Sequence, residues 1–168
     1  MPLMKLFGPR KLTPRLAQLA KVSLFSQLSP AELDIVEGLL HQREYLADEV
    51  IFDEGEEGQA IYIIQSGEVM LCRQGEDAGE DGKAGHIATL GAGAFFGDMA
   101  LLDNLPRNAQ ARALKQTQLT VFFRDDFMTL MQTHARIASK IALQLAREMG
   151  RRIRQMLGGE AQLWRQHL

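Results

Sequence analysis

Residues 60–73 read AIYIIQSGEVMLCR. Two runs rich in Ile, Tyr, Val and Leu flank Ser66-Gly67, a composition that suits strands on a half-buried sheet. The two-residue break predicts a tight hairpin between them. The same character extends outward from His41 to Phe123. YLADEVIF (45–52) comes before it, followed by the turn DEGEEG (53–58). HIATL (86–90), ARAL (111–114) and TQLTVFF (117–123) supply further strands. QGEDAGEDGKAG (74–85) is polar and glycine-rich, a loop between strands. Many short strands with glycine-bearing turns predict a mainly β fold, an antiparallel jelly-roll-like β-roll whose edges are closed or covered.

Helical signals flank this region. Thr13-Pro14 reads as an N-cap followed by proline in the first turn. SPAE (29–32) reads as a capping box, and Leu33, Val36, Leu39 and Leu40 follow at helical spacing. RDDFMTLMQ (124–132) suits a short helix. From Ala135 to Leu157 the residues Ile137, Ile141, Leu145, Met149, Ile153 and Met156 form one apolar stripe. Gly158-Gly159 then predicts a glycine C-terminus. The expected organisation is one domain: an N-terminal helical segment (1–40), a β-roll (41–123) and C-terminal helices (124–168).

Composition narrows the function. The chain has 168 residues, 46% hydrophobic and 24% charged, with a net charge of -2. That balance suits a globular domain and gives no general attraction to nucleic acid. Cys72 is the single cysteine, which fits a reducing compartment and predicts a cytoplasmic protein. No signal-peptide pattern or membrane-length apolar run is present. The four histidines (His41, His86, His134, His167) lack metal-ligand spacing, and no nucleophile elbow or P-loop occurs. The expectation is no enzyme, no metal and no cofactor.

The chemistry gathers in FFGDMALLDNLPRNAQA (95–111). Gly97 stands where a strand gives way to a helical turn, and glycine lets a ligand approach the main chain. First-turn amides lack internal partners and favour an anion. An anion would rest against Gly97, Met99 and Ala100, with Arg107 as counter-charge. Asp98 suits a sugar hydroxyl instead. Together these describe a nucleotide monophosphate site. The plainer reading is a solvated connection with a surface salt bridge.

The segment resembles the phosphate-binding cassette of cyclic nucleotide-binding domains, roughly F-G-E-[LIM]-A-L, a gap, then P-R-x-A-[TS]. VSLFSQLSPAELDIV, VIFDEGEEGQAIYIIQSGEVML and LGAGAFFGD resemble other parts of the same family, and the long terminal helix resembles its C-helix. The resemblance covers about residues 22–157. It implies a β-roll with helices at both ends that binds cAMP or cGMP. Gly97, Met99, Ala100 and Arg107 would hold the cyclic phosphate, and Asp98 the ribose 2′-hydroxyl. Asn108 and Ala109 would add main-chain amides. Leu71, Ile87 and Phe96 would form apolar walls.

Three departures stand out. Asp98 replaces the usual glutamate and is one methylene shorter. Ala109 and Gln110 stand where Thr or Ser is frequent. Arg152-Ile153 stands where bacterial cAMP-dependent activators carry a Thr-Ser pair, and Arg152 would stack on a base. One lost charge-assisted hydrogen bond costs about 1.5–3 kcal/mol, one to two decades of affinity.

The resemblance further implies a parallel homodimer through the C-terminal helix. REMGRRIRQ (147–155) carries four arginines on that helix, read as a solvated face. The sequence stops shortly after it, so the expected role is a stand-alone sensor without a DNA-binding domain or membrane contact, signalling to an unidentified effector protein. The alternative is a degenerate pseudo-sensor that serves as an oligomerisation or docking module.

Overall fold

The computed structural model describes residues 13–73 and 85–158. The loop expected at 74–85, apart from Gly85, and the chain beyond Gly158 lie outside the described residues. Among the described residues eight strands form two four-stranded antiparallel sheets. In one the order is β1 (Leu40–Tyr45), β8 (Thr117–Phe123), β3 (Ala60–Ser66) and β6 (Phe95–Phe96). In the other it is β2 (Val50–Phe52), β7 (Gln110–Ala113), β4 (Glu68–Cys72) and β5 (His86–Gly91). This is the expected β-roll.

Two local expectations are corrected. Ser66-Gly67 does not close a hairpin: β3 pairs with β6 and β8, whereas β4 pairs with β5 and β7. The glycine is a corner that carries the chain from one sheet to the other. Gly67 has φ +99°, and a Cβ there would lie 2.6 Å from the Thr117 Cα, so only glycine fits this corner without strain. YLADEVIF likewise divides between sheets, Tyr45 ending β1 and Val50 opening β2. Leu40, expected on the helical stripe, begins β1.

The helices start where the capping chemistry predicts. Thr13 Oγ1 accepts from the Leu16 amide at 3.2 Å, opening α1 (Pro14–Ala20). Ser29 and Glu32 form the reciprocal capping box of α2 (Pro30–Glu37). α3 (Arg124–Thr133) and α4 (Ala135–Leu157) are separated at His134, whose φ of -139° breaks the helical path. Gly158 caps α4 in right-handed rather than left-handed geometry.

Two apolar clusters result. One lies inside the roll and includes Phe52, Ile64, Val69, Phe96 and Leu119. The other joins the helices to the outer face of the first sheet through Phe25, Leu33, Ile61, Phe122 and Ile141. Alternation along β3 sends Ile61 and Ile63 to the helical side and Ile64 to the interior. The α4 stripe is only half used: Ile137, Ile141 and Leu145 are buried, whereas Ile153 and Met156 are exposed.

Candidate functional site

The two-residue strand β6 delivers the chain to Gly97, at φ +71°, and a 3-10 turn follows over Asp98–Leu101. The amides of Asp98 and Met99 open that turn and have no partner within it. The Ala100 amide donates to the Gly97 carbonyl across a long 3.2 Å. The chain then returns through Pro106 and Arg107 into β7. The acidic turn 53–58 holds this return: the Arg107 amide donates to Glu56 at 2.7 Å, and the Gly55 amide donates to the Arg107 carbonyl at 2.8 Å.

Arg107 organises the site. It is 8% exposed, a buried cation. Nη1 donates to the Gly97 carbonyl at 3.0 Å and Nη2 to the Ala60 carbonyl at 2.9 Å. The guanidinium thereby ties the cassette to β3. Its plane lies over Phe52, 4.2 Å from the ring centroid, a contact that favours a desolvated guanidinium. Nε, fully buried, has no hydrogen-bond partner, and among the described residues no carboxylate forms an ion pair with Arg107. Burial holds the guanidinium below the usual arginine value, with Tyr62, Glu56 and Asp98 acting in the opposite direction. It remains charged. A buried cation without a paired anion is costly, and an anion bound beside it would offset that cost.

A cleft of about 160 Å³ opens beside it. Its walls include Gly97, Asp98, Met99, Ala100, Arg107, Asn108, Ala109 and Leu71. The structure thus brings together eight of the eleven residues expected from the sequence. Phe96 is not on the wall; it is 1% exposed and stacks on Tyr62 beneath it. Ile87 is 51% exposed on the edge strand β5 and does not line the cleft. Both were expected as apolar walls. Gln110 is buried below the cleft, donating to Asp53.

Arg152 is not poised over an open pocket. Its Nη1 donates to both Asp98 oxygens, at 3.0 and 2.9 Å. The Asp98 side chain is 6% exposed. Sequence reasoning missed this pairing, and it also missed Phe52 and Gly58. A Cβ on Gly58 would approach the Ala100 Cβ to 2.9 Å, so Gly58 gives the cassette turn its room. The glycine-bearing turn 53–58 was the available signal. Among the described residues there is no cluster of His, Cys, Asp and Glu suited to a metal, and no helix long and apolar enough to cross a membrane.

Residues 42–134 match the family described as cyclic nucleotide-binding domain. The chain is similar to the cyclic AMP receptor protein of Thermus thermophilus, 36% identical over 126 residues, 75% of this chain and 56% of that protein. Its fold is similar to the crystal structure of the Thermus thermophilus catabolite activator protein, with a TM-score of 0.72, 34% identity and coverage of 84% of this chain and 62% of that one. The regulatory domain of Toxoplasma gondii PKA, solved with cAMP, gives a TM-score of 0.60 at 28% identity, covering 68% of this chain and 42% of that one. The chain spans about half the length of the curated Thermus relative.

Proposed function

The chain belongs to the cyclic nucleotide-binding domain family, and from that premise we propose that it is a regulatory module that binds a cyclic nucleotide, cAMP or cGMP, in the cleft beside Arg107. The observation that carries this reading is the guanidinium itself, buried, unpaired with any described carboxylate, its Nε without an acceptor. A cyclic phosphate supplies one negative charge and acceptor oxygens for that donor and for the opening amides of the 3-10 turn. Asp98 lies on the same wall and suits a ribose hydroxyl. The Toxoplasma relative, solved with cAMP, supports the choice of ligand.

The signal leaves through α4, the helix that reaches Asp98 through Arg152. Ile153, Met156 and Leu157 remain exposed on its last turns, and we assign that surface to the same helix of a second chain. An effector protein then reads the position of α4.

Titration calorimetry with cAMP and cGMP tests the binding. Saturable binding of at least one nucleotide is expected, weakened by about two orders of magnitude in Arg107→Ala. Circular dichroism confirms that the variant folds. No heat from either nucleotide at roughly millimolar concentration would overturn the assignment and leave the docking-module alternative.

A further inference from the structure

The buried guanidinium of Arg107 rests on one aromatic ring. Phe52 closes β2, is 7% exposed, and lines the cleft. Its ring centroid lies 4.2 Å from the Arg107 Cζ. Two neighbours pin the ring, Tyr62 at 5.5 Å and Phe96 at 5.8 Å between centroids. The register of β2 against β7 shifts between Val50 and Phe52, an irregularity of the kind that re-aims a side chain. Gly58 borders the guanidinium as well: a Cβ there would lie 3.5 Å from both the Arg107 Cζ and Nε.

We propose that Phe52 is a positioning residue for anion recognition: the π face of its ring holds the Arg107 guanidinium, and with it the free Nε donor, in the orientation that the ligand's phosphate meets. This rests on the cyclic-nucleotide reading above. Three arguments carry it. The hydrogen bonds of a guanidinium lie in its plane, whereas an aromatic ring attracts it through its face. The ring therefore fixes the group without occupying a donor. Nη1 and Nη2 are already engaged by the Gly97 and Ala60 carbonyls, so Nε is the donor left for a ligand. A carboxylate could also hold the guanidinium, but it would compete with a phosphate for that donor, and among the described residues none forms an ion pair with Arg107. Finally, an aliphatic side chain would fill much of the same space yet leave a desolvated cation without an electrostatic partner. The attraction of a ring for a cation is greatest where water is excluded, as it is here.

The test keeps the shape of the ring and reduces the negative charge on its face. Phe52 is replaced site-specifically by mono-, di- and trifluorinated phenylalanine, near-isosteric residues whose fluorines withdraw electron density from the π system. Calorimetry then measures the affinity for cAMP and cGMP, and circular dichroism confirms that each variant folds. Affinity is expected to fall stepwise along the series, by about threefold to tenfold in all. Phe52→Leu, which removes the face altogether, weakens binding by about tenfold or more. Leu119→Val, in the same interior cluster, lowers stability and leaves affinity unchanged. A flat fluorine series makes Phe52 a packing residue and overturns the proposal, whatever Phe52→Leu does. Unchanged affinity in Phe52→Leu, or an equal loss in Leu119→Val, overturns it too. So does tighter binding along the series, which would make the ring a stand-in for the absent anion. In each of these cases the wild type still binds nucleotide and the proposed function stands. A wild type that binds neither nucleotide overturns this proposal and the function on which it rests.

Discussion

Gly97 and Arg107 show how closely single residues are matched to the site. A Cβ on Gly97 would lie 2.6 Å from Arg107 Nη1, and the backbone there has φ +71°. Gly97→Ala is therefore expected to cost about 1–2 kcal/mol in backbone strain and to push the guanidinium off the Gly97 carbonyl. Urea denaturation should show the stability loss, and calorimetry should show nucleotide affinity falling by more than the stability change alone explains. These two residues were legible in the sequence because their chemistry is local: a glycine before a helical turn, and an arginine ten residues on. The partner of Asp98 was not legible. Arg152 lies 54 residues away in sequence, on a helix whose placement depends on the packing of α3 and the 3-10 helix at Ser23–Phe25. Phe96 was misassigned for a related reason. A large aromatic beside a cassette reads as a ligand wall, but in this fold it fills the interior under Tyr62.

Among the elements, strand identity was legible and strand pairing was not. TQLTVFF becomes β8 with the expected bounds, because alternation and β-branched residues mark a strand locally. Ser66-Gly67 has the composition of a hairpin, yet the flanking strands enter different sheets, since the choice of partner is made by tertiary contacts. The corner is unforgiving: Gly67→Ala should destabilise by about 2 kcal/mol or more in urea, as its Cβ meets Thr117 backbone. The terminal helices are also tied together. Lys140 on α4 donates to both Glu32 oxygens of α2, at 2.9 and 2.7 Å. That bond, with the Ser29 amide, lowers the Glu32 carboxyl below its ordinary value of 4.5. A carboxyl lowered on folding stabilises the fold fully above that value and loses its contribution as pH falls through the folded one. The stability difference between wild type and Lys140→Met should thus hold steady from about pH 7 to pH 5, at about 0.5–1 kcal/mol, and shrink towards zero in more acidic solution. α4 itself divides into two halves. Ile141→Ala should cost about 2–5 kcal/mol. If the exposed last turns of α4 pair with a second chain as proposed, Met156→Asp should leave the fold of one chain intact and halve the mass seen by sedimentation velocity; a wild type that sediments as a monomer would contradict that pairing.

For the molecule as a whole, the two apolar clusters share a sheet, and the site sits where their edges meet. Phe96 supports the cassette from within the roll, and Leu101 anchors the end of its turn in the helical cluster. A ligand gripping this turn therefore presses on both at once. Arg107 fixes the cassette to β3 through Ala60, while Arg152 fixes it to α4 through Asp98. A cyclic nucleotide bridging Arg107 and Asp98 would join the β-roll to α4, the arrangement the proposed sensor requires. A crystal structure of the chain with cAMP or cGMP decides the matter. The account predicts a phosphate oxygen about 3 Å from Arg107 Nε, a second against the opening amides of the 3-10 turn, and the ribose hydroxyl on Asp98. A nucleotide bound elsewhere, with the Arg107 Nε still unpartnered, would contradict it.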